Sequence, residues 1–355
     1  MSDAGATTTA SSTPDPAGVR VREVTAWCEA NIPGCVGPLR FTLVAGGRSN
    51  YTYRVDAADG NVFVLRRPPL GHLLPSAHDM AREYRIISAL APTVVPVAPA
   101  LGICFDDTVT DHPFYVMGYV EGLILRNEQD AAALAMPARQ RAGESIVDVL
   151  SDLHSLDVDE VGLGELGKRD GYVARQLKRW HTQFTQSKTR EVPAVDEVFA
   201  ELSKRIPEQQ GVSIVHGDYR LDNTMVDASG NIVAVLDWEI CTLGDPLADL
   251  GLLMVYWPEP ADPNPPLGFA ATVAPGFATR KQLIERYSQR SQRDLSSIDF
   301  YVAFGYWKLA CILDGVYTRY ASGVMGDDGY DFSVLDTQVN NLALTAAATL
   351  QGGTA

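Results

Sequence analysis

The chain has 355 residues, with 29 Lys and Arg against 44 Asp and Glu, a formal net charge of −15. So acidic a balance argues against a nucleic-acid-binding surface, since phosphate recognition relies on clustered Lys and Arg, and it argues for a soluble protein; no nucleic-acid partner is expected. The length suits two lobes better than one compact unit.

The first eighteen residues are rich in Ser, Thr, Ala, Pro and Gly and carry neither the basic start nor the apolar stretch of a signal peptide, so a disordered tail on a cytoplasmic protein is expected. From Val19 to Asn31 the apolar positions Val21, Val24, Trp27 and Cys28 recur at helical spacing, and Pro33-Gly34 stops the run. Phe41-Thr42-Leu43-Val44 and the alternating Tyr51-Thr52-Tyr53-Arg54-Val55 predict a hairpin around Gly46-Gly47-Arg48-Ser49-Asn50. Glycines let such a turn approach a ligand closely, although an ordinary tight hairpin would read the same. Val62-Phe63-Val64-Leu65 is a third strand running into Arg66, and a helix over about 76–90 carries Glu83. Leu101 to Phe105 is a further strand-like run, and Phe114 to Gly122 reads as one more strand with the connection that follows it.

A helix from Pro137 to Leu156 presents Ile146, Val149, Leu150 and Leu153 as one apolar stripe. Further helices are expected at about 246–257, 278–290, 297–321 and 332–350, with a loop rich in Pro, Gly and Ala between Pro258 and Pro275. A loop of that length in a compact domain is functional or mobile. No apolar run approaches the ~20 residues that cross a bilayer, so no membrane partner is expected. The cysteines Cys28, Cys35, Cys104, Cys241 and Cys311 are scattered without a Cys-x-x-Cys pair, which indicates neither a disulfide scaffold nor a zinc site.

The most informative stretch is His216-Gly217-Asp218-Tyr219-Arg220-Leu221-Asp222-Asn223, followed by Leu236-Asp237-Trp238-Glu239. Asp237 ends the apolar run Ile232 to Leu236, which reads as a buried strand, so its carboxylate would emerge where a strand stops and a loop begins. Phosphoryl transfer asks for one carboxylate aimed at the acceptor hydroxyl and for oxygen ligands that hold magnesium against phosphates. Asp218, Asn223 and Asp237 suit those tasks, and the five-residue step from Asp218 to Asn223 is that of the kinase catalytic loop.

With Gly244-Asp245-Pro246-Leu247-Ala248-Asp249-Leu250, these motifs resemble the aminoglycoside phosphotransferase family, in which His-Gly-Asp replaces the kinase His-Arg-Asp. Val64-Leu65-Arg66-Arg67-Pro68-Pro69 and Ala81-Arg82-Glu83-Tyr84-Arg85 are similar to the branch found alone in actinobacteria or fused to acyl-CoA dehydrogenases. The resemblance covers roughly residues 20–345 and implies an α+β, bilobed protein-kinase-like fold: a small antiparallel-sheet N-lobe over 19–117 and a larger, mainly helical C-lobe over 118–355. It implies ATP as donor, Mg2+ as cofactor and a small-molecule acceptor, and leaves the oligomeric state open. Asp218 would be the catalytic carboxylate, with Asn223 and Asp237 as metal ligands. Gly46, Gly47, Ser49 and Asn50 would lie over phosphates. Arg66 stands where the kinase pattern has a phosphate-pairing Lys, with Glu83 as its ion-pair partner, and the chain departs from the pattern in that substitution. Met117, Tyr119 and Val120 fall in the segment that reads adenine through backbone groups. His216 would scaffold the loop, and Asp245 and Asp249 either cap and brace or touch a ligand.

Other patterns carry less. Gly162-Leu163-Gly164-Glu165-Leu166-Gly167 matches the dinucleotide fingerprint in letters but follows a helix end where that fingerprint requires a strand. His154 has no activated nucleophile beside it and reads as structural; His72, His78, His112 and His181 show no metal-ligand spacing. From Lys168 to Arg190 seven cations face the single acid Asp170, and Arg175, Lys178 and Arg179 share a helical face beside Trp180. That face is either a plain solvated surface or the landing site of an anionic acceptor such as a hydroxyacyl thioester. Tyr256 and Trp307 are expected to line the acceptor site, with helix core as the competing fate. The function expected is a small-molecule kinase acting on a hydroxyl. Alternatives are an aminoglycoside or other antibiotic O-phosphotransferase, a non-catalytic nucleotide-binding pseudokinase and a nucleotide hydrolase.

Overall fold

The structure is a computed structural model that describes residues 15–45, 50–70, 78–262, 270–325 and 329–352. Gly46, Gly47 and Ser49, His72, most of the expected tail and the middle of the 258–275 loop lie outside the described residues. The chain divides into two compact units, one formed by Met1–Ser88 with Ala98–Tyr119 and the other by Ala89–Val97 with Val120–Ala355.

The first unit is built on period-two alternation. Its order is α1 (Val21–Asn31), β1 (Arg40–Ala45), β2 (Tyr51–Asp56), β3 (Val62–Arg67), α2 (Met80–Leu90), β4 (Ala100–Cys104) and β5 (Phe114–Gly118). The strands form one antiparallel sheet in the order β1-β2-β3-β5-β4. Alternate residues Tyr53 and Val55, Phe63 and Leu65, and Phe114 and Val116 bury one face against Val24 and Cys28 of α1 and Ile32 just after it. The segment before α1 is tied to this sheet: the Tyr53 hydroxyl donates to the Ala17 carbonyl at 2.7 Å, and the buried Arg67 guanidinium donates to the carbonyls of Gly18 and Pro68. Residues 15–18, expected to belong to the tail, therefore carry defined hydrogen bonds.

The second unit holds α3 (Glu128–Ala131), α4 (Met136–Ser155), α5 (Tyr172–Ser187), α6 (Pro193–Lys204), β6 (Ser213–Val215), β7 (Thr224–Val226), β8 (Ile232–Val235), β9 (Thr242–Gly244), α7 (Leu247–Val255), α8 (Arg280–Ser291), α9 (Ile298–Ala321) and α10 (Val334–Leu350). Proline in the first turn starts α4 and α6, and a Thr279–Gln282 capping box starts α8. The helix α9 is the hub, packing against α5, α6, α7 and α10. It is buried from Phe300 through Cys311, and α7 is buried along its whole length, so neither shows the polar face of a surface helix. The two approach at Gly251, where a Cβ would lie 2.4 Å from the Tyr301 carbonyl carbon and oxygen. Gly251→Ala is therefore expected to cost about 1–3 kcal/mol through overpacking, read as a lower urea midpoint at unchanged slope. Short antiparallel pairs β6–β9 and β7–β8 leave the loops 216–223 and 236–241 at their ends.

The Gly162–Gly167 segment lies among turns between α4 and α5, with no strand before it, as its context in the sequence had indicated.

Candidate active site

In the first unit, Arg66 on β3 has Thr52 and Tyr115 as its cross-strand partners. Arg66 Nε lies 2.8 Å from Glu83 Oε2, and the Tyr115 hydroxyl donates to the same oxygen at 3.0 Å. Glu83 Oε1 accepts from Asn50 Nδ2 at 2.8 Å, and Asn50 Oδ1 is 2.8 Å from His78 Nδ1. Glu83 is 1% exposed, which its donors from β3, β5 and the residue preceding β2 make tolerable. The expected Arg66–Glu83 pair is formed, and Asn50 joins it through its side chain. Met117 is half-buried on β5, Tyr119 is exposed beneath the Arg54 guanidinium at 4.8 Å from its ring centroid, and Val120 belongs to the second unit.

In the second unit, the strand β6 delivers the chain into the His216–Asn223 loop, and a single 3₁₀ turn over Leu221–Asn223 folds it back. That turn lets Asn223 Nδ2 donate to Asp218 Oδ2 at 2.8 Å and to the Asp218 carbonyl at 2.9 Å. Among the described residues no hydrogen bond reaches Asn223 Oδ1. His216 acts as a bracket: Nε2 donates to the Leu236 carbonyl at 2.8 Å while Nδ1 accepts from the Asp218 amide at 3.3 Å, a tautomer assigned from the two partners. The Leu236 amide in turn donates to the Asn223 carbonyl at 2.8 Å, so the residue preceding Asp237 is bonded to both ends of the loop. Asp237 takes a left-handed conformation, φ +60°, one of the few non-glycine residues to do so.

Beneath the loop lies a buried carboxylate. Asp249 Oδ2 accepts from the His216 amide at 2.6 Å and from His154 Nε2 at 3.4 Å, and Oδ1 accepts from the Gly217 amide at 2.8 Å. His154 Nδ1 lies 2.8 Å from the Tyr287 hydroxyl, so both ring nitrogens are engaged. Asp245 accepts from the Leu247 amide at 3.1 Å and from the Tyr301 hydroxyl at 2.6 Å. Of the two roles open to these acids, capping and bracing is the one seen.

Three residues that motif reading passed over crowd the loop. Arg220 sits with Nε 3.3 Å from Asp218 Oδ2, Nη1 3.0 Å from Asp222 Oδ2 and its guanidinium 4.7 Å from the Tyr256 ring centroid. Burial raises the Asp222 carboxyl, with Arg220 pulling the other way. Lys308 reaches in from α9 and donates to the Gly217 carbonyl at 2.9 Å, with its Nζ 5.9 Å from the Trp180 ring centroid. Burial pushes its ammonium below the ordinary lysine range, opposed by the charges of Asp218 and Asp249. Its signal in the sequence was the lone cation in the apolar run Phe300 to Cys311.

Tyr256 is thus placed beside the loop through Arg220. Trp307 is corrected: it has no exposed surface, donates from Nε1 to the Val195 carbonyl at 3.0 Å and stacks with Phe199 and Phe304, which makes it core between α6 and α9. On α5, Arg175, Lys178 and Arg179 line an open groove of about 630 Å³ with Gln183 and Gln186. Among the described residues none of these three cations is in an ion pair, while Arg179 lies 5.3 Å from the Trp180 ring centroid and Arg175 donates to the Lys168 carbonyl at 2.8 Å.

A five-stranded antiparallel sheet with a buried cation–carboxylate pair, joined in sequence to a helical unit bearing this loop, defines the class as the protein-kinase-like fold. The chain belongs to the phosphotransferase enzyme family APH, whose family model matches residues 40–283. It is 35% identical over 291 residues, 81% of its length, to acyl-CoA dehydrogenase family member 10 of Mus musculus, and 35% identical over 315 residues, 85% of its length, to family member 11 of that species. It spans only 27% and 40% of the lengths of these relatives. Among solved structures it is similar to an aminoglycoside phosphotransferase candidate from Ralstonia eutropha JMP134, with a TM-score of 0.77 at 29% identity over 94% of this chain and 99% of that one. No helix among the described residues is long and apolar enough to cross a membrane.

Proposed function

We propose that the protein transfers the γ-phosphoryl group of ATP to a hydroxyl of a small molecule. The observation that carries this reading is the Asn223 clamp: its amide nitrogen holds Asp218 while its amide oxygen stays unengaged among the described residues, so one side chain orients a base and offers a metal ligand. In this scheme Asp218 accepts the proton of the attacking hydroxyl, Arg66 pairs with donor phosphates while Glu83 holds it in place, and Arg220 fixes the Asp218 rotamer. Among the described residues no group of three or more His, Cys, Asp or Glu could hold a metal unaided. That fits magnesium, which binds through one or two carboxylates together with substrate phosphates. Asn223 and Asp237 would hold the ion, which when bound neutralises charge on the donor phosphates. Asn50, Met117, Tyr119 and Val120 belong to the proposed nucleotide site, as do Gly46, Gly47 and Ser49. The test is magnesium-dependent phosphorylation of a panel of hydroxylated metabolites, hydroxyacyl thioesters and aminoglycosides, followed by mass spectrometry. Nucleotide-dependent stabilisation without turnover would favour a pseudokinase, and ATP loss that no compound accelerates would favour a hydrolase.

The acceptor class we favour is a hydroxyacyl thioester. The three α5 cations, which have no carboxylate partner among the described residues of an otherwise acidic chain, suit the phosphates of a coenzyme-bearing acceptor, and two relatives of this chain are acyl-CoA dehydrogenase family members. A cationic aminoglycoside would meet repulsion there. Reversing the patch with Arg175→Glu, Lys178→Glu and Arg179→Glu is expected to raise the KM for such acceptors about tenfold or more, as loss of partly screened attraction. An unchanged KM removes α5 from the acceptor site.

A further inference from the structure

Lys308 is 6% exposed, yet its ammonium has one hydrogen-bond acceptor among the described residues, the Gly217 carbonyl at 2.9 Å. An ammonium carries three donors. Among the described residues no carboxylate forms an ion pair with it, and the Trp180 ring centroid is 5.9 Å from its Nζ. The polar groups buried beneath the loop, His216, Asp249 and His154, are matched by partners on each side. A buried cation short of partners is a liability to the fold, and α9 carries it in the middle of an apolar run. Its location explains the exception: it touches the residue before Asp218 and faces Trp180, which sits on α5 beside the cationic groove.

We propose that Lys308 is a further substrate-contacting catalytic residue, whose two remaining donors are satisfied by an oxyanion that arrives with the substrates. This rests on the phosphotransfer reading above. In the transfer, the acceptor oxygen forms a bond to the γ-phosphorus as the bond from that phosphorus to the bridging oxygen breaks. The electron pair of the broken bond stays on the departing ADP, and the hydroxyl proton passes to Asp218. Lys308 keeps its proton throughout and supplies fixed positive charge, which a dry site makes effective. The oxyanion is either the phosphoryl group in flight or an acidic group on the acceptor.

Lys308→Met, which keeps the length of the side chain, and Lys308→Gln, which keeps a donor for the Gly217 carbonyl, distinguish these from a structural strut. Both are assayed as the full chain with ATP and magnesium, using the best-phosphorylated alcohol of the panel or, where none is found, water through release of inorganic phosphate. The expected result is a melting temperature equal to or above wild type with kcat/KM at least about 100-fold lower. A fall confined to kcat assigns the phosphoryl group, and a rise confined to the acceptor KM assigns the acceptor's acid. Turnover within threefold of wild type in either folded variant overturns the proposal, as does failure of both variants to fold, which makes Lys308 a strut. A wild-type protein that transfers no phosphate to any compound or to water brings down the kinase reading and this inference together. A normal wild-type rate with indifferent variants brings down the inference alone.

Discussion

Asp218→Asn is expected to lower kcat by about 10³-fold while the protein stays folded, because general base catalysis is worth 10²–10⁴ and this chemistry depends on positioning. The substitution is nearly isosteric, and its amide oxygen can still accept from Asn223 Nδ2, which now donates to Asp218 Oδ2 at 2.8 Å. Arg220 keeps its contact to Asp222 at 3.0 Å, so the guanidinium is not left alone. Asp237→Asn is expected to lose a similar factor by weakening the proposed metal site. Asparagine is the informative choice there, since it tolerates the left-handed backbone at φ +60° that alanine would strain. Rates come from ADP release and product mass, and folding from the denaturation midpoint. If both variants retain more than about a tenth of wild-type kcat, the assignment of the loop is wrong.

Asp249→Ala should produce the largest loss of stability, about 3–5 kcal/mol, because it strands the amides of His216 and Gly217 and the His154 ring in a site that is 1% exposed. The same network sets the acid limit of the fold. Burial alone would raise the Asp249 carboxyl, but the hydrogen bonds from His154 and the Gly217 amide with the nearby histidines outweigh it and the group ends below its ordinary 3.8. Burial holds His154 below its ordinary 6.5, against the opposing pull of Asp249. Both shifts are downward, so both contributions are present at neutral pH. The His154 part is complete above pH 6.5 and declines as pH falls below it, because the unfolded chain takes up the proton first; the Asp249 part declines only below 3.8. His154→Gln should therefore flatten the fall in stability between about pH 6.5 and pH 5, measured by urea denaturation. A parent protein whose midpoint does not change over that interval would contradict the network.

Features that depend on neighbours in the chain were readable in advance. The step from Asp218 to Asn223, the strand feeding Asp237 and the alternation that builds β2 and β3 are all local, and spacing carries them. The Arg66–Glu83 pair was expected only because a known pattern joins two distant segments; no periodicity relates them. Arg220 stood in plain view, but nothing in one dimension tells that Tyr256 supplies the surface it lies on. Lys308 was hidden by its own helix, since an apolar run with one cation suggests core and not which loop that cation meets. Trp307 erred in the other direction: an aromatic near the right segment suggested a pocket, and close packing between α6 and α9 claimed it.

The clasp of Arg67 and Tyr53 on the carbonyls of Gly18 and Ala17 decides where the first unit can be trimmed. Counting from α1 would put the border at Val21. A shortened form starting there would leave the buried Tyr53 phenol without its acceptor and take one of the two acceptors from the buried Arg67 guanidinium, and it would remove the left-handed Gly18, whose lack of a side chain makes room for that guanidinium. The smallest excisable piece of the first unit thus begins upstream of its first regular element, at a turn that hydropathy alone assigns to the tail.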